Sequence, residues 1–332
     1  MPATVCRPRT RPRQSAQSAP LSHSRTVTDN ELVLGIDVGG STIKGEISDG
    51  WGKVVAASSV STPRGDAAVT AIAEFGAALL DTLAAEPRAR VGRAAVLLPG
   101  IVDTEHGIAV FSANIGWRDV PVAGVFTERW GMPVLVDHDV TVAGWAEWRF
   151  GAGRGYDDVC IVVLGTGIAG ALAVGGRLVT GGLGQAGEFG HVVVRPNGIA
   201  CPCGNVGCVE TVASAAAIAR EYARRSGRSV AGAADVVALL ATDAVAQQVW
   251  SEAIDALADG LAGVVHAVSP ELLVLGGGLA AAEDLLVKPL RSALEARVRV
   301  VPVPDVVVGR FGSRAGLVGA GLLACIGQRS ES

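Results

Sequence analysis

Two similar segments, far apart in the chain, constrain the fold most. Each one is a continuous apolar run, a glycine-rich turn and a second run that returns. Continuous apolar runs of this length indicate buried strands, so each segment predicts a hairpin. A chain with 44 glycines can repeat such a turn by chance, but the repetition favours two related α/β lobes. The first segment comprises 32–38, the turn Gly39-Gly40-Ser41-Thr42 and 43–48; the second comprises 158–164, the turn Gly165-Thr166-Gly167 and 169–174.

The first glycine turn is a candidate phosphate site. Gly39 and Gly40 carry no side chain that would keep a phosphate from the backbone amides, and Ser41 and Thr42 are small. Asp37, at the end of the strand, is placed to hold Mg²⁺ through water, and Lys44 lies close by. The segment matches neither a P-loop nor a dinucleotide fingerprint, since the glycines do not open a helix. An ordinary tight turn is the competing interpretation.

Two further glycine stretches extend this hypothesis. Gly165-Thr166-Gly167 would offer a second turn to the same phosphate chain. Gly276-Gly277-Gly278 follows the apolar run 272–275, and a triple-glycine strand end lets a flat ring lie against the backbone. That geometry is typical of a nucleoside site.

A cysteine-rich stretch predicts a metal site. His191, Cys201, Cys203 and Cys208 make a complete tetrahedral set for Zn²⁺, with no position left for a catalytic water. Close cysteines can also be buried thiols or a disulfide. Cys201 and Cys203 are too near to pair comfortably, and no secretory signal indicates an oxidising compartment. We therefore expect structural zinc, with the carboxylates of Glu188 and Glu210 bracketing the stretch.

Polar residues at predicted strand ends form a second group of candidates. Gly100 lies in the loop 99–103, and Asn114 lies in the polar loop 112–117, where its amide can bond a polyhydroxy ligand. Asp139 follows the predicted strand 134–136, just before a helix. A carboxylate there either acts as a general base or caps the helix, and capping is the commoner role.

Length and composition limit the number of domains and the kinds of partner that the chain can have. A chain of 332 residues with 49% hydrophobic residues can bury a large core and is expected to form two domains. The net charge of −4 gives no global basic footprint for nucleic acid, and no apolar run is long enough to span a bilayer. Residues 1–30 are rich in Arg, Pro and Ser, which predicts disorder. We expect a cytoplasmic protein without nucleic-acid or membrane partners.

The assembled motifs resemble the sugar kinases of the ROK family (repressors, open reading frames and kinases), bacterial zinc-containing enzymes of the glucokinase type. The resemblance covers residues 31–327. It implies an α/β, two-lobed actin-like ATPase fold, related to ribonuclease H, with the nucleotide and sugar in the cleft between the lobes. The motifs are DVGGSTIKG at 37–45, PGIVD at 99–103, NIGW at 114–117, GTGI at 165–168, GEFGH at 187–191, CPCGNVGCVE at 201–210 and VLGGG at 274–278.

The resemblance also implies a domain division and a role for each candidate residue. Residues 31–140, joined by a closing helix at 313–327, would form the small lobe, and 141–312 the large, zinc-bearing lobe. Asp139 would be the catalytic base. The positions implied for sugar binding are Gly100, Asn114, Asp139, Glu188, His191 and Glu210; those for ATP are Asp37, Gly39, Gly40, Ser41, Thr42, Lys44, Gly165, Thr166, Gly167, Gly276, Gly277 and Gly278; those for zinc are His191, Cys201, Cys203 and Cys208.

The implied activity is transfer of the γ-phosphate of ATP, with Mg²⁺, to the 6-hydroxyl of an aldohexose. Glucose is the first expectation, and N-acetylglucosamine or N-acetylmannosamine is the alternative. The family implies a homodimer or homotetramer. The chain departs from the family pattern in one place: His138 and Thr141 replace the asparagines that usually flank the base. That departure motivates a second class of function, a non-catalytic sugar sensor. A transcriptional regulator of the family would need an N-terminal DNA-reading domain, for which 1–30 is too short.

Overall fold

The computed structural model describes residues 31–49, 52–65, 67–112, 114–182, 184–327 and 329. The tail 1–30, with Cys6 and its predicted disorder, lies outside the described residues. Within these ranges no helix has the length and apolar character needed to cross a bilayer. The strands are β1 Leu32–Val38, β2 Thr42–Ser48, β3 Val54–Ser61, β4 Val91–Leu98, β5 Ile101–Asp103, β6 Ile108–Phe111, β7 Arg118–Val120, β8 Val134–His138, β9 Val159–Leu164, β10 Ile168–Val174, β11 Arg177–Val179, β12 Leu272–Gly276 and β13 Asp305–Val308.

Ten helices connect these strands within the described ranges. The longer helices share hydrophobic cores with the strands, as expected of an α/β protein. The helices are α1 Ala67–Asp81, α2 Ala85–Ala89, α3 Val122–Trp130, α4 Asp139–Phe150, α5 Glu210–Ala213, α6 Ala215–Ser226, α7 Ala233–Ala238, α8 Ala244–Val268, α9 Asp284–Arg297 and α10 Ala315–Ile326.

Two five-stranded sheets share one topology. The first has the order β3-β2-β1-β4-β8 and the second β11-β10-β9-β12-β13. In each sheet the first three strands of the lobe form antiparallel neighbours, and the last two join in parallel. The predicted pair of related lobes is thereby confirmed. A small antiparallel sheet, β5-β6-β7, adds to the first lobe.

Helices α4 and α10 fill the space between the two sheets. Small residues let them approach: a Cβ on Gly319 would lie 2.8 Å from the side chain of Val142, and one on Gly35 would lie 3.1 Å from Ala320. The C-terminal helix packs on β1 and β4, so the end of the chain returns to the first sheet. We therefore propose the division into 31–140 with 313–327, and 141–312.

Local geometry refines three predicted elements. The strand predicted over 134–136 continues to His138, because its pairing with β4 extends to Leu98. The zinc stretch is followed by an extra one-turn helix, α5, which ends where Ser214 becomes extended and caps α6. After the triple glycine, Gly278–Ala282 forms a 3-10 turn, and α9 begins only after Glu283, whose φ is 46°. Cys160 and Cys325, which lie outside the cysteine-rich stretch, are buried free thiols.

Candidate active site

The first glycine turn joins β1 to β2. Asp37 pairs in register with Lys44 across the hairpin. The amide of Gly39 donates to the carbonyl of Thr42 at 2.9 Å, which closes the turn. Thr62 fastens it from the end of β3, since its Oγ1 donates to the Gly39 carbonyl at 2.7 Å and its amide to the Ser41 carbonyl at 3.0 Å. The turn is therefore fixed from both sides.

The second glycine turn is tied to a carboxylate of the zinc stretch. The amide of Gly165 donates to the carbonyl of Gly167 at 2.9 Å. The next amide, of Ile168, donates to Glu210 Oε2 at 2.8 Å. A Cβ on Gly167 would lie only 2.5 Å from the same oxygen, so a side chain there would push Glu210 away. Glu210 is thus positioned by the turn as well as by its own helix.

The triple glycine lies against the end of β9. Gly277 has a φ of 80°, and a Cβ there would stand 2.4 Å from the carbonyl oxygen of Leu164. Gly276 pairs with Val163 across the sheet. Two of the three predicted nucleotide stretches, Gly165–Gly167 and Gly276–Gly278, are therefore neighbours at one edge of the second sheet.

The loops predicted to face the sugar also come together. Gly100 has a φ of 99°, and a Cβ there would stand 2.2 Å from the carbonyl oxygen of Phe111, which precedes the polar loop of Asn114. Asn114 lies against the first glycine turn, since its Cβ is 3.5 Å from where a Cβ of Gly40 would be. A predicted sugar residue and a predicted phosphate residue thus share one surface.

Burial raises the pKa values of three carboxylates in this region, Asp139, Asp37 and Glu188. Burial raises the pKa of Asp139 to about 8, and the nearby negative charges of Asp37 and Glu188 add to the shift. Burial also raises the pKa of Asp37, against the opposing charge of Lys44. For Glu188, burial and then Glu210 raise the pKa, and His191 opposes them. Each carboxylate comes from a different segment, so the tertiary fold creates this cluster.

Asp139 does not cap its helix. The N-cap of α4 is His138, whose Nδ1 accepts from the Thr141 amide at 3.3 Å. Asp139 is the first helical residue, and its Oδ1 accepts from the Val140 amide at 2.7 Å. The capping interpretation of Asp139 is therefore wrong.

The four predicted zinc ligands converge. Their ligand atoms all lie within 4.8 Å of one another. Cys203 Sγ is 3.7 Å from Cys208 Sγ, and Cys201 Sγ is 3.6 Å from His191 Nδ1. Zn–S and Zn–N bonds of about 2.3 and 2.0–2.1 Å in a tetrahedron give about 3.8 Å between sulfurs and about 3.6 Å between sulfur and nitrogen. The donor set therefore fits Zn²⁺.

His191 connects the cluster of predicted zinc ligands to the carboxylate of Glu188. Nδ1 of His191 faces Cys201, while its Nε2 lies 3.7 Å from Glu188 Oε2. The loop that carries the cysteines folds back on the same histidine, because bridges join Val193 to Cys208 and Ala200 to Val206. The cluster of His191 and the three cysteines therefore lies next to Glu188, one of the residues predicted to bind sugar.

Comparison with known proteins identifies the family. The ROK family model matches residues 33–326. The chain belongs to the ROK family. It is 33% identical to a glucokinase of Streptomyces coelicolor over 319 residues, covering 88% of this chain and 97% of that one. It is 32% identical to an N-acetylmannosamine kinase of Yersinia pseudotuberculosis over 295 residues, covering 88% and 97%.

A solved ROK structure has the same fold. The crystal structure of a ROK family glucokinase from Streptomyces griseus, in complex with glucose and AMPPNP, superposes with a TM-score of 0.78 at 32% identity. It covers 88% of this chain, which in turn covers 99% of that one. The expected two-lobed α/β fold and the expected class of enzyme, an ATP-dependent hexokinase- or glucokinase-type kinase, are both confirmed.

Sequence reasoning missed two residues that support the site of this ROK protein. Glu147 of α4 is fully buried and accepts from the amides of Ala152, Arg310 and Phe311, which ties the helix of Asp139 to the loop after β13. Arg329 pairs with Asp137 at 2.7 Å, two residues before Asp139 in the chain. Glu147 lies on the buried face of α4, and Arg329 lies after the last helix. Neither residue belongs to a sequence motif that would have marked it.

Proposed function

We propose that this ROK protein transfers the γ-phosphate of ATP to the 6-hydroxyl of glucose. The observation that carries the proposal is the position of Asp139. It lies at the start of α4 and within electrostatic reach of Asp37, beside the first glycine turn, and of Glu188, beside the metal cluster. A base placed between a phosphate turn and a sugar-binding stretch can serve a hydroxyl that attacks a phosphate.

Asp139 would accept the proton of the sugar hydroxyl as its oxygen attacks the γ-phosphorus in line. Its raised pKa suits this role, because a general base works best when its pKa lies near the operating pH. The amides of 39–42 and 165–167, with Lys44, would cradle the phosphates, and the triple glycine 276–278 would receive the adenosine. Asp37 would hold Mg²⁺, which supplies charge neutralisation on the phosphates when bound.

The sugar would lie between the polar loops and the metal cluster. Asn114, Glu188 and Glu210 offer an amide and two carboxylates to sugar hydroxyls, and Gly100 shapes the loop opposite. His191 would give Nδ1 to zinc and keep Nε2 for a hydroxyl or for Glu188, in line with the 3.7 Å between those atoms. Structural zinc held by His191, Cys201, Cys203 and Cys208 would thus fix the sugar-binding side chains.

The relatives support glucose first and leave one alternative. The Streptomyces relatives are named glucokinases, and one of their structures holds glucose. The Yersinia relative, at nearly the same identity, is an N-acetylmannosamine kinase, so an N-acetylhexosamine is the second candidate substrate. We also propose a homodimer or homotetramer, as the family resemblance implies, to be checked by light scattering.

A substrate panel tests the proposal. Purified full-length protein with ATP and Mg²⁺ is offered glucose, mannose, fructose, N-acetylglucosamine and N-acetylmannosamine, and ADP release is measured. We expect the highest kcat/KM for glucose, and nuclear magnetic resonance of the product should show phosphate on the 6-position. A preference for either N-acetylated sugar would replace glucose by the alternative. ADP release with none of the sugars would identify a non-catalytic sensor.

A further inference from the structure

The residues beside Asp139 form a small hydrogen-bonded unit. His138 Nδ1 lies 2.9 Å from Thr141 Oγ1 and accepts from the Thr141 amide at 3.3 Å. The other ring nitrogen, Nε2, lies 3.3 Å from Asp139 Oδ1. The imidazole thus stands between the first turn of α4 and the carboxylate of Asp139.

The contacts of the ring settle its tautomer. An amide can donate only to a nitrogen lone pair, so Nδ1 carries no proton while it caps α4. Burial, and then the positive charge of Arg329, lower the pKa of His138 to about 4, so the ring is neutral near pH 7. A neutral ring with a bare Nδ1 has its proton on Nε2. Nε2 is also the ring nitrogen that lies 3.3 Å from Asp139 Oδ1.

We infer that His138 is a positioning residue, which uses Thr141 as its anchor and its Nε2–H to hold Oδ1 of the base. The inference rests on the proposed role of Asp139. The 3.3 Å separation is longer than the usual N–H···O distance of about 2.9–3.0 Å. Such catalytic contacts commonly tighten when substrate binds. With Oδ1 held by His138 and by the Val140 amide, Oδ2 is the oxygen that takes the proton of the sugar.

The backbone around His138 supports the same arrangement. Its amide donates to Asp137 Oδ1 at 2.7 Å, and Arg329 bonds the other oxygen of Asp137 at 2.7 Å. The histidine is therefore held at its main chain and at Nδ1, which leaves little freedom for Nε2. A side chain held in this way can orient a neighbour with little loss of entropy.

Two substitutions separate orientation from capping. His138→Ser keeps a side chain that caps a helix well but removes any donor that reaches Asp139. His138→Asn keeps both functions, because its amide has an oxygen for the cap and an NH2 group for the carboxylate. We expect kcat of His138→Ser to fall about 10- to 100-fold, the cost typical of a misplaced catalytic group. KM for the sugar and the melting temperature should stay near those of the wild type, and His138→Asn should restore most of kcat.

Two further measurements do not depend on the folding of the serine variant. Thr141→Val keeps the shape of the side chain and the capping amide but removes Oγ1, and it should lower kcat less than His138→Ser. In ¹⁵N-histidine spectra at neutral pH, the signals lost in His138→Asn should belong to a ring with protonated Nε2 and bare Nδ1. The N-cap substitution Asp243→Asn, at the start of α8, is the control and should leave kcat unchanged.

Three results would contradict the inference about His138. Wild-type kcat in His138→Ser, an equal loss in the serine and asparagine variants, or a ring protonated on Nδ1 would each overturn the inference. Asp139→Asn is measured alongside. If it keeps its turnover, the proposed base is wrong; if it loses turnover while His138→Ser does not, only the role of His138 fails.

Discussion

Two groups of carboxylates in this protein behave in opposite ways. Around Asp139, burial raises the pKa values of Asp37, Asp139 and Glu188, and the charges of Asp37 and Glu188 raise that of Asp139 further. A second group of carboxylates lies on α6 and α8 of the second lobe, a surface that we call the outer face. Arginines pair with these carboxylates and lower their pKa values. Glu221 bonds Arg224 and Arg225, Glu252 bonds Arg225, and Asp259 bonds Arg195 and Arg297.

The two groups differ in how ionisation of the carboxylate affects the stability of the fold. A carboxylate paired with arginine favours its charged form and stabilises the fold above its ordinary pKa. A buried carboxylate beside like charges disfavours its charged form, so ionising it weakens the fold. Of these carboxylates, Asp139, with a pKa of about 8, can take a proton near neutral pH. Perturbed pKa values of this kind concentrate at functional sites.

The largest expected effect is on turnover at the cleft. Asp139→Asn removes the proposed base and should lower kcat about 10²–10⁴-fold while sugar binding, measured by calorimetry, is retained. Asp259→Asn is the matched control on the outer face and should keep kcat. Substantial turnover in Asp139→Asn would show that Asp139 is not the base. The two groups of carboxylates would then not differ in their role in catalysis.

The second prediction concerns the proposed zinc site formed by His191, Cys201, Cys203 and Cys208, beside Glu188. Cys203 is exposed, so Cys203→Ser removes a ligand with little loss of packing. Native mass spectrometry should show loss of bound zinc, the melting temperature should fall by about 5 °C or more, and KM for the sugar should rise. A chelator should lower the melting temperature of the wild type but scarcely that of the variant. Zinc loss with unchanged sugar binding would contradict the proposed link between metal and sugar.

The third prediction is the pH dependence of stability at Asp139. An aspartate in the unfolded chain has a pKa of about 3.9. In the folded protein the pKa of Asp139 is about 8. Between these values the folded state binds more protons, so its contribution to stability falls as pH rises. Asp139→Asn should therefore match the wild type in melting temperature near pH 4 and exceed it increasingly toward pH 8. An opposite trend would show that Asp139 ionises readily in the fold.

The smallest expected effect is on the outer face. The hydrogen bond from Arg224 is the main cause that lowers the pKa of Glu221 to about 2. Its stabilisation is present above its ordinary pKa and is lost as pH falls toward 2. Glu221→Gln should cost about 1 kcal/mol at pH 7, less at pH 3, and leave kcat unchanged. Urea denaturation at the two pH values measures the change in the free energy of unfolding. A lower kcat in this variant would show that a carboxylate of the outer face also affects catalysis.

Much of the fold was readable because its signals are local. The apolar runs around the turns 39–42 and 165–167 predicted two hairpins, and both occur in sheets of the same topology. Ligand spacing predicted the convergence of His191 with the three cysteines. These features depend on side chains near one another in sequence, so a single chain shows them.

The surroundings of Asp139 were not readable. Its neighbours Asp37 and Glu188 are about one hundred and fifty residues apart from each other in sequence, and nothing local sets their spacing. The sequence could not decide between a base and a cap at Asp139, because both roles need the same residue before a helix. The structure decided against the cap by giving it to His138.

The sequence by itself determined the two hairpins, the metal ligand set and the resemblance to ROK kinases, since each depends on residue type and short spacing. Tertiary structure alone decided that Glu210 accepts a hydrogen bond from the second glycine turn, that Arg329 pairs with Asp137, and that Asp139 lies near the like charges of Asp37 and Glu188. The physical reason is that a carboxylate's pKa depends on burial and on charges brought close by folding.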